Sequence, residues 1–237
     1  FLKGKLNGTV HTCIGQEYIG AILPEVLIPG DVVFSNHRCH GHYIGRTDDV
    51  EGLLLEVMGS SLGAVSGVGG SQHLYHEKGF FSNGILGGMT PVAAGYAHTL
   101  LNSDNIVCFF IGDGATGEGV FYESINFAAT KNIPVLFVCE NNSYSVYSPL
   151  SVRQPEGRKI HEMVKGMGVD SAYEDGNDIR KVYRLTKRAI SKIYETGNPF
   201  FMELQTYRWR EHCGPNYDNN IGYRSEEEFL EWKKRDP

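Results

Sequence analysis

Apolar residues along this 237-residue chain fall into short continuous runs, separated by longer stretches whose apolar positions recur at helical spacing. The runs at 32–35, 107–111, 134–139 and 200–206 read as strands. The two central runs are apolar throughout, the pattern of strands buried on both faces. Between them, the spacing predicts helices over 16–23, 50–58, 90–101, 119–130, 178–194 and 225–234. Thr47 and Asp48 are candidate caps for the second, and Pro91 falls in the first turn of the third, where proline is tolerated. The fifth opens on Asp178 and carries Ile179, Val182, Leu185, Ile190 and Ile193 among basic residues, an amphipathic surface helix. The last opens Ser225-Glu226-Glu227-Glu228, a capping-box pattern.

Strands alternating with helices predict an α/β fold, a doubly wound, largely parallel sheet flanked by helices. The length suits a single domain over 1–237. The 29 glycines are clustered: five lie in 59–70, then come Gly84, Gly87, Gly88 and Gly95, and the densest group is Gly112, Gly114, Gly117 and Gly119. Such clusters read as loops that let a backbone approach a ligand.

Composition adds exclusions. Net charge is −6 with no basic stripe, so nothing marks a nucleic-acid surface. No apolar run approaches the ~20 residues of a membrane span. Cys13, Cys39, Cys108, Cys139 and Cys213 form no C-x-x-C pair and suit a reducing cytoplasm. No ligand spacing among the cysteines and nine histidines marks a zinc site. No signal peptide is visible. The chain opens at Phe1 and stops just after a charged helical stretch, so both ends read as incomplete.

The chemistry concentrates between 112 and 144. The strand at 107–111 runs into Gly112-Asp113-Gly114-Ala115-Thr116-Gly117-Glu118-Gly119, and a helix follows. At the carboxyl end of a parallel strand, glycines and the amides of the next helix face an anion. Asp113, read as an exposed carboxylate, would repel a pyrophosphate unless a divalent cation lay between them. Magnesium takes one or two protein oxygens plus phosphate oxygens. The next strand ends Glu140-Asn141-Asn142-Ser143-Tyr144, so Asn142 offers a side-chain oxygen and Tyr144 a backbone carbonyl from the adjacent strand end.

A strand, G-D-G, a helix, a strand and a double asparagine at this spacing resemble the fingerprint of the thiamine-diphosphate enzymes. Further segments resemble the alpha subunit of the two-subunit branch, which includes pyruvate, branched-chain 2-oxo acid and acetoin dehydrogenases. They are Gly15-Gln16-Glu17 after His11, Arg38-Cys39-His40-Gly41, Gly69-Gly70-Ser71-Gln72-His73, Asn83-Gly84-Ile85-Leu86-Gly87 and Met202-Glu203-Leu204-Gln205-Thr206-Tyr207-Arg208. The resemblance implies the thiamine-diphosphate-binding fold, with thiamine diphosphate and magnesium as cofactors. It implies Asp113, Asn142 and the Tyr144 carbonyl as metal ligands. Arg38 would grip the diphosphate, beside His37 where many members have tyrosine. Gly112, Gly114 and Ala115 would cradle it, and the backbone of Gly84 and Leu86 would meet the aminopyrimidine. His11, His73 and His212 would be the active-site histidines, His212 near the diphosphate and His11 near the substrate carboxylate.

The glutamate that activates the cofactor is expected on a beta-type partner subunit in an alpha-two, beta-two assembly; Glu118 is no substitute. The acyl group would pass to a lipoyl acyltransferase. The chain departs from the family around His212, with Glu211 before it and Cys213 where a phosphorylatable serine is usual. Rival readings are a thiamine-diphosphate carboligase, a nucleotide-binding domain and a non-catalytic subunit. The second lacks the G-x-G-x-x-G spacing.

Overall fold

The computed structural model describes residues 3–6 and 8–237. Among the described residues nine strands form in chain order: β1 (Val32–Ser35), β2 (Tyr75–His76), β3 (Phe80–Ser82), β4 (Val107–Gly112), β5 (Val135–Asn141), β6 (Tyr144–Ser145), β7 (Ser148–Pro149), β8 (Asp170–Asp175) and β9 (Phe200–Gln205). Seven make one sheet in the order β2-β3-β1-β4-β5-β9-β8, while β6 and β7 pair as a separate hairpin. Every pairing in the large sheet is parallel except β2 with β3.

The helices are α1 (Glu17–Ala21), α2 (Leu23–Val26), α3 (His40–Thr47), α4 (Val50–Val57), α5 (Met89–Thr99), α6 (Gly119–Lys131), α7 (Leu150–Arg153), α8 (Ile160–Gly166), α9 (Ile179–Thr196) and α10 (Glu226–Lys233). Alternate strand residues feed two cores, as the two-residue period of a strand requires. Cys108, Phe110, Leu136, Val138 and Met202 pack with α1 to α4 and α9 on one face. Phe109, Ile111, Phe137, Cys139 and Phe201 pack with α5, α6 and α8 on the other. Burial on both faces is why β4 and β5 read as unbroken apolar runs. The sheet, the helices on both faces and the nearly uniform strand direction match the doubly wound expectation.

Several local expectations need correction. The helix expected over 16–23 is two short helices, because Pro24 opens α2 and Ile22 sits between them. Gln16 lies before the first helix, not within it. The cap of α4 is Asp49, whose side chain accepts from the Gly52 N–H, while Asp48 ends α3 with φ +59°. Ser225 caps α10 through the Glu228 N–H, but the Glu228 carboxylate bonds the Tyr144 hydroxyl, so the reciprocal half of the box is missing. Helix α3 was not expected: its two glycines hide the periodicity. Gly45 instead permits close packing, since a Cβ there would lie 2.2 Å from the Gly20 carbonyl oxygen of α1.

The glycine cluster at 59–70 is the expected loop. It is organised by Glu56, which is fully buried near the end of α4. Its carboxylate accepts the N–H groups of Val65, Gly67, Gly69 and Gly70 at 2.7–3.0 Å. Burial pushes that carboxyl up, but the four backbone bonds outweigh it and hold the group below the usual range.

Candidate active site

The carboxyl ends of β1, β4 and β5 open into one cavity of about 330 Å³. One wall carries oxygen donors. Register pairs Gly112 of β4 with Glu140 of β5, so the residues just beyond each strand are neighbours. Asp113, Asn142 and Tyr144 all line the cavity, with Gly112 and Gly114 beside them. A Cβ on Gly112 would meet no protein atom, so the bare backbone at that point borders open space.

Asp113 is not the exposed carboxylate its loop position suggested: it is 1% exposed. Burial pushes its pKa up; the Arg153 guanidinium and the Asn142 backbone N–H pull the other way and lose. Arg153 lies at the end of α7, and its Nη2 donates to Asp113 Oδ2 at 2.5 Å. Nothing in the sequence signalled that contact, since 40 residues separate the pair. Asn142 is held at both ends of its amide. Its Nδ2 donates to Gln16 Oε1 at 3.1 Å, and its Oδ1 accepts the Tyr144 N–H at 3.2 Å. A carbonyl oxygen has two lone pairs, so Oδ1 can still serve a metal. The Tyr144 hydroxyl is committed to Glu228 at 2.7 Å, which leaves its backbone carbonyl as the group on offer.

The opposite wall carries nitrogen. His11, His37 and His212 come from the segment before α1, the turn after β1 and the loop after β9. Their ring centroids lie 4.8, 4.9 and 5.3 Å apart. Arg38 ties these segments together, donating from Nη1 to the Thr12 carbonyl at 2.6 Å and from Nη2 to the His212 carbonyl at 3.1 Å. Burial, with the positive charge of Arg38, pushes His37 down to about 2, His11 to about 3 and His212 to about 4. All three rings are therefore neutral at neutral pH. Arg38 itself is lowered to about 10 by burial and by Arg208.

Gly84 and Leu86 complete the rim. Ala115 does not line the main cavity; it is buried in a small side recess shared with His37, Leu86 and Gly112. His73 lies outside the cavity lining and is exposed, near Gly84. Its neighbour Gln72 is the residue that enters, donating from Nε2 to His11 Nδ1 at 3.0 Å. Ser71 joins it, with Oγ accepting the His11 N–H and bonding His40 Nε2.

Residues that sequence reasoning missed fill the remaining lining: Gln16, Asn36, Gln72, Glu140, Ser145 and Val146. Gln16, Gln72 and Glu140 sit inside or beside the quoted motifs, so adjacency was an available signal. Glu140 is fixed from behind by His42 Nε2 at 3.1 Å, whose Nδ1 meets Ser35 Oγ at 2.8 Å. Val146 had no signal; it is a β-branched residue held at φ +55°.

The departures around His212 have a structural meaning. Glu211 Oε1 accepts both the backbone N–H and the side-chain Nδ2 of Asn216 at 2.9 Å. Asp218 is buried between Arg208, Arg224 and the Tyr223 hydroxyl. The asparagine-rich loop is thus closed on itself, with His212 presented at its crown.

Comparison with known proteins identifies the family. The family model described as the dehydrogenase E1 component matches residues 1–237. The chain is 34% identical over 238 residues to the pyruvate dehydrogenase E1 component subunit alpha of Rickettsia felis, covering 99% of this chain and 72% of that protein. It is 37% identical over 213 residues to the alpha subunit of acetoin:2,6-dichlorophenolindophenol oxidoreductase from Bacillus subtilis, covering 88% of this chain and 63% of that one. A solved structure of a thiamin diphosphate-dependent enzyme from Mycobacterium smegmatis shares the fold, with a TM-score of 0.53 at 18% identity over 84% of this chain and 33% of that one. Across its whole matched length, the chain belongs to the dehydrogenase E1 component family.

Proposed function

We propose that this chain is the alpha subunit of a thiamine-diphosphate- and magnesium-dependent dehydrogenase acting on a pyruvate-like 2-oxo acid or on acetoin. The observation that carries the reading is the oxygen wall. A buried carboxylate, an orientated amide oxygen and a free backbone carbonyl meet at two adjacent strand ends, beside a glycine turn. That donor set suits a hard cation sharing phosphate oxygens, and a softer ion gains little from it. The residues therefore fit the group, with one adjustment: Arg153 must share or release Asp113.

In this reading Asp113, Asn142 and the Tyr144 carbonyl hold the magnesium ion. The Gly114 amide would face the diphosphate from the start of the short turn before α6, and the Ala115 amide, from the side recess, would support it. Arg38 contributes the guanidinium N–H groups that its two carbonyl contacts leave over. The backbone at Gly84 and Leu86 sits where the pyrimidine end would enter. Thiamine diphosphate, when bound, supplies the electron sink for carbon–carbon cleavage next to a carbonyl.

The chain's own groups do the rest. His11 and His212 are neutral and weakly basic in the open cavity; the negative diphosphate beside Arg38 would raise both toward the range in which a ring nitrogen accepts and returns a proton. Gln72 fixes the His11 ring by its bond to Nδ1. His73 keeps only a supporting place at the rim. The activating glutamate belongs to a beta-type subunit, and a lipoyl acyltransferase is the proposed acceptor. Exposed apolar residues, Leu62 at 78%, Val68 at 87% and, beside the cavity, Ile85 at 68%, support docking of that second chain in an alpha-two, beta-two assembly. Among the described residues no helix is long and apolar enough to cross a membrane. Five free cysteines support a reducing compartment, the cytoplasm.

The test is co-expression with a beta-type chain, followed by a screen of 2-oxo acids and acetoin with an artificial electron acceptor. Dye reduction that needs both thiamine diphosphate and magnesium is the expected result. A new carbon–carbon bond without dye reduction favours the carboligase. If the pair decarboxylates no 2-oxo acid and cleaves no acetoin, the reading fails.

A further inference from the structure

We propose that His11, His37 and His212 form a three-nitrogen site for a borderline divalent ion of the zinc type, separate from the oxygen donors around Asp113, and that its occupation shuts the cavity. One ring nitrogen from each residue falls within 4.8 Å of the other two. Zinc–nitrogen bonds of about 2.0–2.1 Å put ligand nitrogens roughly 3.4 Å apart, so each ring needs to move by less than ~1 Å. The sequence concealed the site because its ligands lie on three distant segments with none of the usual spacings.

Two features favour the site. His11 already has an outer-shell partner in Gln72. With the amide turned over, Gln72 Oε1 would accept from Nδ1–H and leave Nε2 free for a metal. Finally, all three side chains border the cavity, so a fourth coordination position would face open space, as in three-ligand zinc sites with an exchangeable fourth ligand.

Arg38 opposes any cation here. That repulsion selects an ion that bonds strongly to imidazole over one held by charge alone, so zinc, cobalt, nickel or copper is expected and magnesium or calcium is not. Binding takes the lone pairs of His11 and His212, the two groups proposed to move protons. It also fills part of the cavity that the oxygen donors share. Trace transition metal is then an inhibitor, and a chelator restores turnover.

Cobalt titration of the full chain, without thiamine diphosphate, tests this independently of the function proposed above. The expected result is one cobalt per chain, with the intense visible bands of four-coordinate geometry. Zinc displaces it and excess magnesium does not. Asp113→Ala keeps the bands. His37→Tyr weakens binding by more than the roughly 10–100-fold typical of an outer-shell loss. His212→Asn gives the same answer should His37→Tyr fail to melt like the parent.

Weak bands of six-coordinate cobalt, or loss of the bands in Asp113→Ala, would place the ion on the oxygen wall and overturn the proposal. So would a thiolate charge-transfer band, which would place it on cysteine, or bands that persist in both histidine variants.

Discussion

The two walls of the cavity are built by different means. The oxygen wall comes from residues 112–144, a strand, a helix and a strand, and the parallel pairing of β4 with β5 brings its ends together. The nitrogen wall comes from three segments spread between His11 and His212, and Arg38 fastens them through two backbone carbonyls. A local crossover fixes the first. The second depends on tertiary contacts and shares its fate with a single guanidinium. Metal coordination and proton handling therefore rest mainly on different supports, linked where Gln16 holds Asn142 and where Arg38 also serves the diphosphate.

The largest effect is expected on the oxygen wall. Asp113→Ala should weaken magnesium-dependent binding of thiamine diphosphate by more than about 100-fold, beyond an outer-shell loss. Calorimetry on the assembled subunits reads this, and unchanged affinity removes the metal assignment. Next comes the other wall. Arg38→Met strips two carbonyls of charge-assisted bonds and should cost about 3 kcal/mol in urea unfolding. If magnesium binding falls as far as it does in Asp113→Ala, the walls are one unit and the comparison breaks.

Arg153→Gln leaves the buried Asp113 carboxylate without its cation. Because Arg153 is 19% exposed, the loss should be about 2 kcal/mol, below the roughly 3–5 of a fully buried pair. Magnesium with the cofactor should restore it, since the ion takes over the same charge. A loss that the metal cannot repair would make Arg153 purely structural.

The effect that vanishes at neutral pH, and so is the smallest there, is that of protonating the histidine rings. The three rings have folded pKa values below their ordinary 6.5, so the unfolded chain binds protons first. Their contribution is complete above 6.5 and is lost as pH falls toward about 4, where His212 begins to charge in the folded chain. His37→Tyr should make the stability profile shallower across that window. An unchanged slope would detach the nitrogen wall from acid sensitivity.

What could be read from the sequence divides along the same line. Strands β1, β4, β5 and β9 were legible because burial on both faces leaves continuous apolar runs. Strand β8, at the sheet edge, reads Asp170-Ser171-Ala172-Tyr173-Glu174-Asp175 and carries no apolar run; only its pairing with β9 defines it. Asp113, Asn142 and Tyr144 were legible as a set because one helix and one strand separate them. Their burial was not, because it depends on Arg153 and Gln16. The histidines could be nominated through resemblance, but proximity to His37 and exposure of His73 required the fold. Gln72 rather than His73 enters the cavity, and no motif distinguishes two adjacent side chains.

The Glu56 carboxylate has a kinetic consequence. One side chain secures four amides across 65–70, so those amides cannot open one at a time without leaving the carboxylate short of partners in a buried place. The loop should behave as a single opening unit, with the four amides sharing one hydrogen-exchange free energy. Since Ser71 and Gln72 follow directly and hold His11, each opening would also release a histidine, so loop opening sets how often the nitrogen wall is rebuilt.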